Sequence, residues 1–410
     1  MIDTKEKQVI RDLAKQYMEM AASDKQRRMN ERMKATNDLK IVRPPVLIDE
    51  IPWYQINIDD ELTCVCTSGK RIQNLETFLR RAIYRWKHFK ADTLFEPFYR
   101  IKMAVDSTGI GIEKKEAIIR TDSTNNIVSH CYEDILEDES MLEKILIPEL
   151  THRPDKDADN MEYFSELLGD VMPVKICGHG RIYANIWDQI ANFRGIEPIM
   201  YDLYDRPEYM HALMDRFCKI TETWMDFYEE KLHMDPTDPN LHCTPAMVSG
   251  LAEDGLKATW FRGTAQALTS VSPDMFKEFE IDHVKHLAER CAYTYYGCCE
   301  PLHDKMDVIK EIKNLRKIGV SPWADIESSA EQIGGDYVYA RKPNPANVAI
   351  ETDPTVIRKE IEDTVKACIK HGCPCEFVLK DISTVSHKPE NLIVWAQTVS
   401  DVLDQYYDKV

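Results

Sequence analysis

Two adjacent cysteines followed by a glutamate form the most reactive short cluster in the sequence, at Cys298, Cys299 and Glu300. A thiolate and a carboxylate are zinc ligands, and a third ligand from another strand would leave the open position that catalytic zinc sites keep. Side chains alternate along a strand, so regular geometry lets only one cysteine face the site and places Glu300 beside Cys298. Which cysteine this is stays open, as does the alternative of two buried thiols. His303 is a further candidate ligand, or a cap for the next helix.

A second cluster, Lys380 and Asp381, ends an otherwise apolar segment at 377–379. Charges in that position indicate either a structural ion pair or a functional site. In the functional interpretation, Asp381 is a ligand or a proton-transfer group. Lys380 or Arg341 then orients an anionic substrate.

Short apolar strands alternate with helices through the second half of the chain, with strands predicted at 292–299, 315–320, 336–340 and 375–379. Such alternation predicts a parallel sheet. Polar or reactive side chains follow every one of these strands, in four groups: Cys298, Cys299 and Glu300; Trp323 and Asp325; Arg341 and Lys342; Lys380 and Asp381. A (β/α)8 barrel carries its active site at these strand ends. No G-x-G-x-x-G or G-K-[ST] loop is present, which disfavours a nucleotide-binding open sheet.

The first part of the chain has a different character. A charged helix is predicted up to about residue 40, and Arg43-Pro44-Pro45 ends it because proline disfavours helix before and within itself. An amphipathic helix follows at about 75–86. The predicted fold is therefore an α/β (β/α)8 TIM-type barrel over 91–410, with a helical N-terminal extension over 1–90 packed on it.

Charge and composition exclude several classes of function. A net charge of −18 without a long basic run disfavours binding to nucleic acid or an acidic membrane surface. There is no apolar stretch of about 18 residues and no apolar signal segment, which predicts a cytoplasmic protein. The 12 cysteines are accordingly expected to be reduced thiols.

These residues resemble the uroporphyrinogen decarboxylase superfamily, in the branch that includes corrinoid-dependent methyltransferases. The resemblance covers roughly 160–400 and implies a (β/α)8 barrel. The matching segments are Val271-Ser272-Pro273-Asp274-Met275 with Glu278-Phe279, Tyr296-Gly297-Cys298-Cys299-Glu300, Arg341-Lys342-Pro343-Asn344-Pro345, Leu379-Lys380-Asp381-Ile382-Ser383-Thr384 with Pro389-Glu390-Asn391, and the helix at 202–214.

Departures from the superfamily patterns narrow the expected activity. The arginine-rich loop of true uroporphyrinogen decarboxylases has no counterpart near Arg43, and Asp381 stands in place of their last-strand histidine. Thiol methyltransferases of the superfamily hold zinc with a His-x-Cys pair and a later cysteine. Here Tyr296-Gly297-Cys298 occupies the pair and Asp381 the later position, so the resemblance implies an altered zinc site of Cys298, Asp381 and Glu300.

The leading hypothesis is a methyltransferase that moves a methyl group between a small O-, N- or S-methylated substrate and a corrinoid carried by a partner protein. The expected catalytic residues are Tyr296, Glu300, Lys380 and Asp381, and the expected substrate-binding residues are Trp323, Asp325 and Arg341. The resemblance also implies a homodimer. The alternative is a decarboxylase or lyase of a small carboxylic acid other than uroporphyrinogen, with Arg341 and Lys380 holding the carboxylate and Asp381 handling a proton. A non-catalytic barrel that binds a ligand or partner is a third hypothesis.

Overall fold

Seven parallel strands form the central sheet of the protein, in a computed structural model that describes residues 3–56, 60–119, 128–350 and 352–407. Their order across the sheet is β1-β7-β6-β5-β4-β3-β2, and every neighbouring pair is parallel. The strands are β1 (Val46–Ile48), β2 (Arg181–Ala184), β3 (Trp260–Gly263), β4 (Tyr293–Tyr296), β5 (Leu315–Val320), β6 (Val338–Arg341) and β7 (Cys375–Leu379).

The pairing of the first strand with the last is the connection expected of a barrel. The predicted parallel α/β architecture is therefore confirmed, but the described residues form a seven-stranded sheet that stays open between β1 and β2. A hairpin, in which Asn240–Leu241 pairs with Thr244–Pro245, lies against this opening. Its Cys243 packs on Leu47 of β1 and Val378 of β7. A closed eight-stranded barrel is thus not formed by the described residues.

Side chains alternate between the two faces of the sheet. Phe261, Tyr296 and Phe377 face outward into the large apolar core that the helices share with the strands. Charged and polar groups face inward: Arg262 stacks on Tyr295 with 4.3 Å between the guanidinium carbon and the ring centre. Such buried polar groups require partners. Many of these inward-facing groups are partners of one another, and the inner face of the sheet is therefore polar.

Helices pack either on the outer face of the sheet or around a second, smaller core. They comprise Thr4–Ala21, Asp24–Asn37, Trp53–Ile56, Lys70–His88, Pro154–Leu168, Ile186–Arg194, Ile196–Asp205, Pro207–Lys231, Pro273–Phe276, Asp282–Ala288, Met306–Ile309, Ile326–Ile333, Pro354–His371 and Glu390–Tyr406. Lys277–Ile281 is a π-helical turn, and 3-10 turns lie at Asp60–Leu62, Glu139–Lys144, Leu256–Ala258, Gln266–Leu268 and Pro345–Val348. None of the helices in the described residues combines the length and the hydropathy that crossing a bilayer requires.

The first helices and a set of small strands build a second, smaller core. Helices Thr4–Ala21, Lys70–His88 and Pro154–Leu168 bury Ile10, Leu75, Leu79 and Leu167 there. The strands at this core are Tyr99–Lys102 and Val174–Cys177, which pair with each other, and two further pairs, Val105–Ser107 with Leu150–His152 and Glu116–Ile119 with Ser129–Tyr132, lie outside it. The predicted 1–90 extension also supplies β1, so it contributes a strand to the central sheet as well as helices.

Candidate active site

Both adjacent cysteines reach the same lysine at the C-terminal ends of β4 and β7. The ammonium nitrogen of Lys380 lies 3.2 Å from the Cys298 sulfur and 3.6 Å from the Cys299 sulfur, and the two sulfurs are 3.5 Å apart. Strand alternation does not separate them, because β4 ends at Tyr296 and Gly297 turns the chain with φ of +101°. The expectation of a single inward-facing cysteine fails for this reason.

Charge is distributed unevenly over the two thiols. A hydrogen bond from Cys299, aided by His242, Arg262 and Lys380, outweighs burial and lowers the pKa of Cys298 far below that of an ordinary thiol. The same hydrogen bond and burial raise the pKa of Cys299. These shifts, together with the Lys380 ammonium at 3.2 Å from the Cys298 sulfur, favour the thiolate form of Cys298 and the protonated form of Cys299. Burial acts to lower the pKa of Lys380, but the surrounding anionic groups, Cys298 first, raise it, so that the ammonium stays charged.

Asp381 lies at the solvent side of this cluster. Its carboxylate lies 2.7 Å from the Cys299 sulfur, where it shares the single thiol proton with Cys298, and 3.1 Å from the Lys380 ammonium. Its backbone N–H donates to Glu50 at 2.8 Å, and its φ of +56° is unusual for a residue other than glycine. The structure thus brings the predicted residues Cys298, Lys380 and Asp381 together and adds Glu50.

Glu300 makes structural contacts, whereas the sequence predicted a zinc ligand and catalytic residue at this position. Its buried carboxylate accepts hydrogen bonds from the Cys298 backbone N–H at 2.8 Å and the Thr264 hydroxyl at 2.7 Å. Burial, and the negative charge of Cys298, raise its pKa. These contacts hold the turn that carries the cysteines, and both carboxylate oxygens of Glu300 are engaged in them. Cys298, Glu300 and Asp381 do not form a compact set of ligand atoms in the structure.

A second group with metal-ligand chemistry adjoins the thiols. One ligand atom each from Glu50, His242 and Cys243 lies within 4.8 Å of the others, the only such group of three among the residues that the structure describes. His242 and Cys243 occupy the tip of the 240–245 hairpin, both with positive φ, and Glu50 follows β1. The Cys243 sulfur lies 3.8 Å from the Glu50 carboxylate, and His242 also contributes a hydrogen bond to Cys298.

This group combines an imidazole, a thiol and a carboxylate, which is a donor set that zinc binds in catalytic sites with three protein ligands. Sequence analysis missed it. Its members are far apart in the chain, and the adjacency of His242 and Cys243 is not a ligand spacing that identifies a metal site. The only local signal is a pair of ligand-type residues next to Pro239 and Pro245, which favour a turn.

Four other predicted site residues lie away from the thiols or in structural contacts. Tyr296 faces outward and donates to Glu280 at 2.7 Å. Arg341 is buried and donates to Ser321 O and the Glu360 carboxylate, at 2.7 and 3.0 Å. Asp325 caps the helix Ile326–Ile333 by accepting from Ser328 N at 2.7 Å. Trp323 is 70% exposed.

Asp188 is a further titratable group at this end of the sheet that sequence analysis did not single out. It lies in the helix that follows β2 and accepts a hydrogen bond from Ala267 N at 2.9 Å. Burial, with a smaller effect of Glu300, raises its pKa to about 6. Asp188 therefore gains or loses a proton close to neutral pH.

The sequence matches no family model and no curated protein. Among solved structures, the chain is similar to a methyltransferase from Methanosarcina mazei, with a TM-score of 0.52 and 11% sequence identity. The similarity covers 92% of this chain and 98% of that chain. At this identity the likeness concerns the fold alone, and it extends over nearly the whole of both proteins.

Proposed function

We propose that the protein is a methyltransferase that moves a methyl group between a small methylated substrate and a corrinoid carried by a partner protein. The observation that carries the proposal is the ligand group Glu50, His242 and Cys243 beside the Cys298 thiolate, at the strand ends of this fold. Perturbed titratable groups gathered in one place are typical of catalytic sites. The similar fold of the Methanosarcina mazei methyltransferase supports the same reaction class.

Zinc is the metal that the donor set fits best, and Glu50, His242 and Cys243 are the residues that would hold it. This set replaces the predicted Cys298, Glu300 and Asp381, because Glu300 is fully engaged by the turn. Bound zinc would supply Lewis acidity to the heteroatom that carries the methyl group. Cys298 lies next to these ligands because it forms a hydrogen bond with His242, and the Lys380 ammonium neutralises its negative charge.

The thiol cluster supplies the proton that the reaction needs. When the substrate donates its methyl group, the bond from carbon to the heteroatom breaks and the heteroatom keeps the electron pair. A reduced corrinoid on the partner protein would supply the electron pair for the new bond to the methyl carbon, and the heteroatom takes up a proton. Cys299 is the protonated member of the pair and supplies this proton, and Asp381, 2.7 Å from its sulfur, returns a proton from solvent to the thiol. In the reverse direction the same groups accept it.

The end of the sheet that carries the site is open to solvent. Asp381 is 45% exposed at its side chain, and Tyr183, which stacks on His242, is 41% exposed. A flat corrinoid bound to another protein requires such access. Trp323 follows the C-terminal end of β5, the strand that pairs with β4, and is a candidate contact for the corrinoid-carrying protein.

The test measures zinc and methyl transfer in the same preparations. We expect about one zinc per wild-type chain, and loss of zinc in Glu50→Gln, His242→Ala and Cys243→Ser. Cys291→Ser, which alters a buried cysteine outside the cluster, is the matched control and should retain zinc. Methyl transfer from methylated donors to reduced cobalamin should follow the zinc content. A wild-type protein that binds no supplied zinc would contradict the metal-assisted mechanism.

A decarboxylase or lyase of a small acid is the second candidate, and one observation favours it. Arg262 is fully buried beneath the thiols, and two of its guanidinium nitrogens have no hydrogen-bond partner in the part of the chain that the structure describes. A substrate carboxylate would satisfy them. Carbon dioxide release by zinc-free protein, lost in Arg262→Lys, would favour this activity over methyl transfer.

A further inference from the structure

A cleft of about 680 Å³ lies beside the open seam of the sheet, between β1 and the helix Lys70–His88. Its volume is within the range of small-molecule sites. Leu47 of β1 and Cys243 of the hairpin belong to its lining, and Asp49 connects it to Glu50. The cleft therefore reaches one candidate zinc ligand, Cys243, and the neighbour in sequence of another, Glu50.

Two arginines one helical turn apart line this cleft, Arg81 and Arg85. Among the described residues, neither has a carboxylate within ion-pair distance. Arg81 lies over the face of Trp53, and Arg85 donates to the carbonyl of Ile48. Burial lowers the pKa of both guanidinium groups, with Asp49 opposing the effect at Arg85. Arginine stays charged in proteins, so these cations are only partly compensated.

The remaining charges of the cleft are largely neutralised by protein groups. Arg100 is paired with Glu96 and Asp235, and Arg181 lies 3.6 Å from Asp238. Asp49 and Lys102 also line the cleft without an ion-pair partner among the described residues, but their opposite charges offset each other, so a net positive charge remains at Arg81 and Arg85. This arrangement is suited to one small anionic group, since two guanidinium forks bind a carboxylate with defined geometry.

Aromatic side chains form a large part of the remaining wall, with contributions from Trp53, Phe78, Phe95 and Phe98 beside polar groups such as Asn74 and Thr77. Aromatic walls favour planar rings, which stack on them or meet them edge to face. We infer that the cleft binds a small aromatic carboxylic acid, with its carboxylate at Arg81 and Arg85 and its methylated end directed to Cys243 and Glu50. This inference rests on the proposed function and specifies its substrate class.

The experiment measures binding of 4-methoxybenzoate by calorimetry to the purified full-length protein, with 4-methoxybenzyl alcohol as the uncharged counterpart. We expect the acid to bind at least about tenfold more tightly than the alcohol. Arg81→Gln and Arg85→Gln should each remove most of that preference. Arg71→Gln is the matched control, because Arg71 is on the same helix and pairs with Asp159 outside the cleft.

Arg85 supports the carbonyl of Ile48, so its variant carries a risk of misfolding. Arg81 makes no such hydrogen bond among the described residues, so Arg81→Gln tests the inference without this risk. Equal binding of the acid and the alcohol, or unchanged binding of the acid to Arg81→Gln, would overturn the inference. Arginine-dependent binding of the acid without methyl transfer would contradict the proposed function and leave the cleft assignment standing. Methyl transfer from an uncharged ether that Arg81→Gln does not affect would support the proposed function and contradict the cleft assignment.

Discussion

The Lys380 ammonium lies 3.2 Å from the Cys298 sulfur, and both side chains are buried. A buried thiolate without a counter-charge is costly, whereas one beside a buried ammonium is stabilised by Coulomb attraction and a charge-assisted hydrogen bond. The pair comes from the ends of two strands, β4 and β7. Each residue therefore keeps the other charged, and the site depends on both.

Replacing Lys380 by Met should raise the pKa of Cys298, because the nearest positive charge is removed while burial remains. We expect an increase of about one unit or more. The measurement is the thiolate ultraviolet absorbance of metal-free protein against pH, with Cys298→Ala as the baseline. Lys370→Met, which removes a surface ion pair with Glu327, is the control. An identical titration in Lys380→Met and wild type would show that Lys380 does not stabilise the thiolate.

Cobalt(II) substitution distinguishes the two sets of metal ligands. If Cys243 is a ligand, the cobalt protein should show a sulfur-to-cobalt charge-transfer band that disappears in Cys243→Ser. The band should persist in Cys298→Ala, since Cys298 is paired with Lys380 in the structure. Loss of the band in Cys298→Ala alone would instead favour the ligand set predicted from the sequence.

Stability should fall between about pH 4.5 and pH 8 because of Glu280. Burial raises the pKa of this carboxyl to about 8, so the folded protein holds its proton where the unfolded chain has released it. The folded state then binds more protons, and the free energy of unfolding decreases as pH rises, by up to about 5 kcal/mol. Urea unfolding across this range should show a smaller decrease for Glu280→Gln, whose amide keeps an acceptor for Tyr296. Parallel curves for the two proteins would exclude Glu280 as the source.

Gly319→Ala should be strongly destabilising. A Cβ atom at this position in β5 would lie 2.8 Å from the carbonyl carbon and oxygen of Gly297, where the backbone of the cysteine turn crosses the strand. Overpacking of this kind costs about 1–3 kcal/mol. The control is Gly335→Ala, whose Cβ would meet its nearest atom at 3.5 Å. Thermal unfolding of both variants is the measurement, and similar melting temperatures would contradict the predicted clash.

Local sequence signals were sufficient for much of the second half of the fold. The strands at 315–320 and 375–379 agree with prediction, because their apolar patterns are contained within each segment. The predicted continuous helix up to residue 40 is instead two helices, since Ser23 caps the second by accepting from Gln26 N.

Only those site residues that directly follow a predicted strand could be identified from the sequence. Strand ends identified Cys298, Lys380 and Asp381, because parallel strands align their C-terminal ends at one edge. Glu50, His242 and Cys243 depend on left-handed backbone conformations and on a hairpin placed against the opening of the sheet. Tertiary packing determines both the backbone conformations and the position of the hairpin, and no periodic pattern in the sequence indicates either.

The hydrogen bond from Asp381 to Glu50 joins residues 331 positions apart. Because β1 can pair only with β7, a chain still being synthesised holds its first strand without a neighbour until the last strand has left the ribosome. Long-range pairing of this kind is slow to form and leaves strand edges exposed in the meantime. A nascent or truncated chain without β7 therefore lacks the partner strand of β1 and the Asp381 backbone N–H that binds Glu50, so the position of Glu50 beside His242 and Cys243 would be fixed only when the last strand pairs.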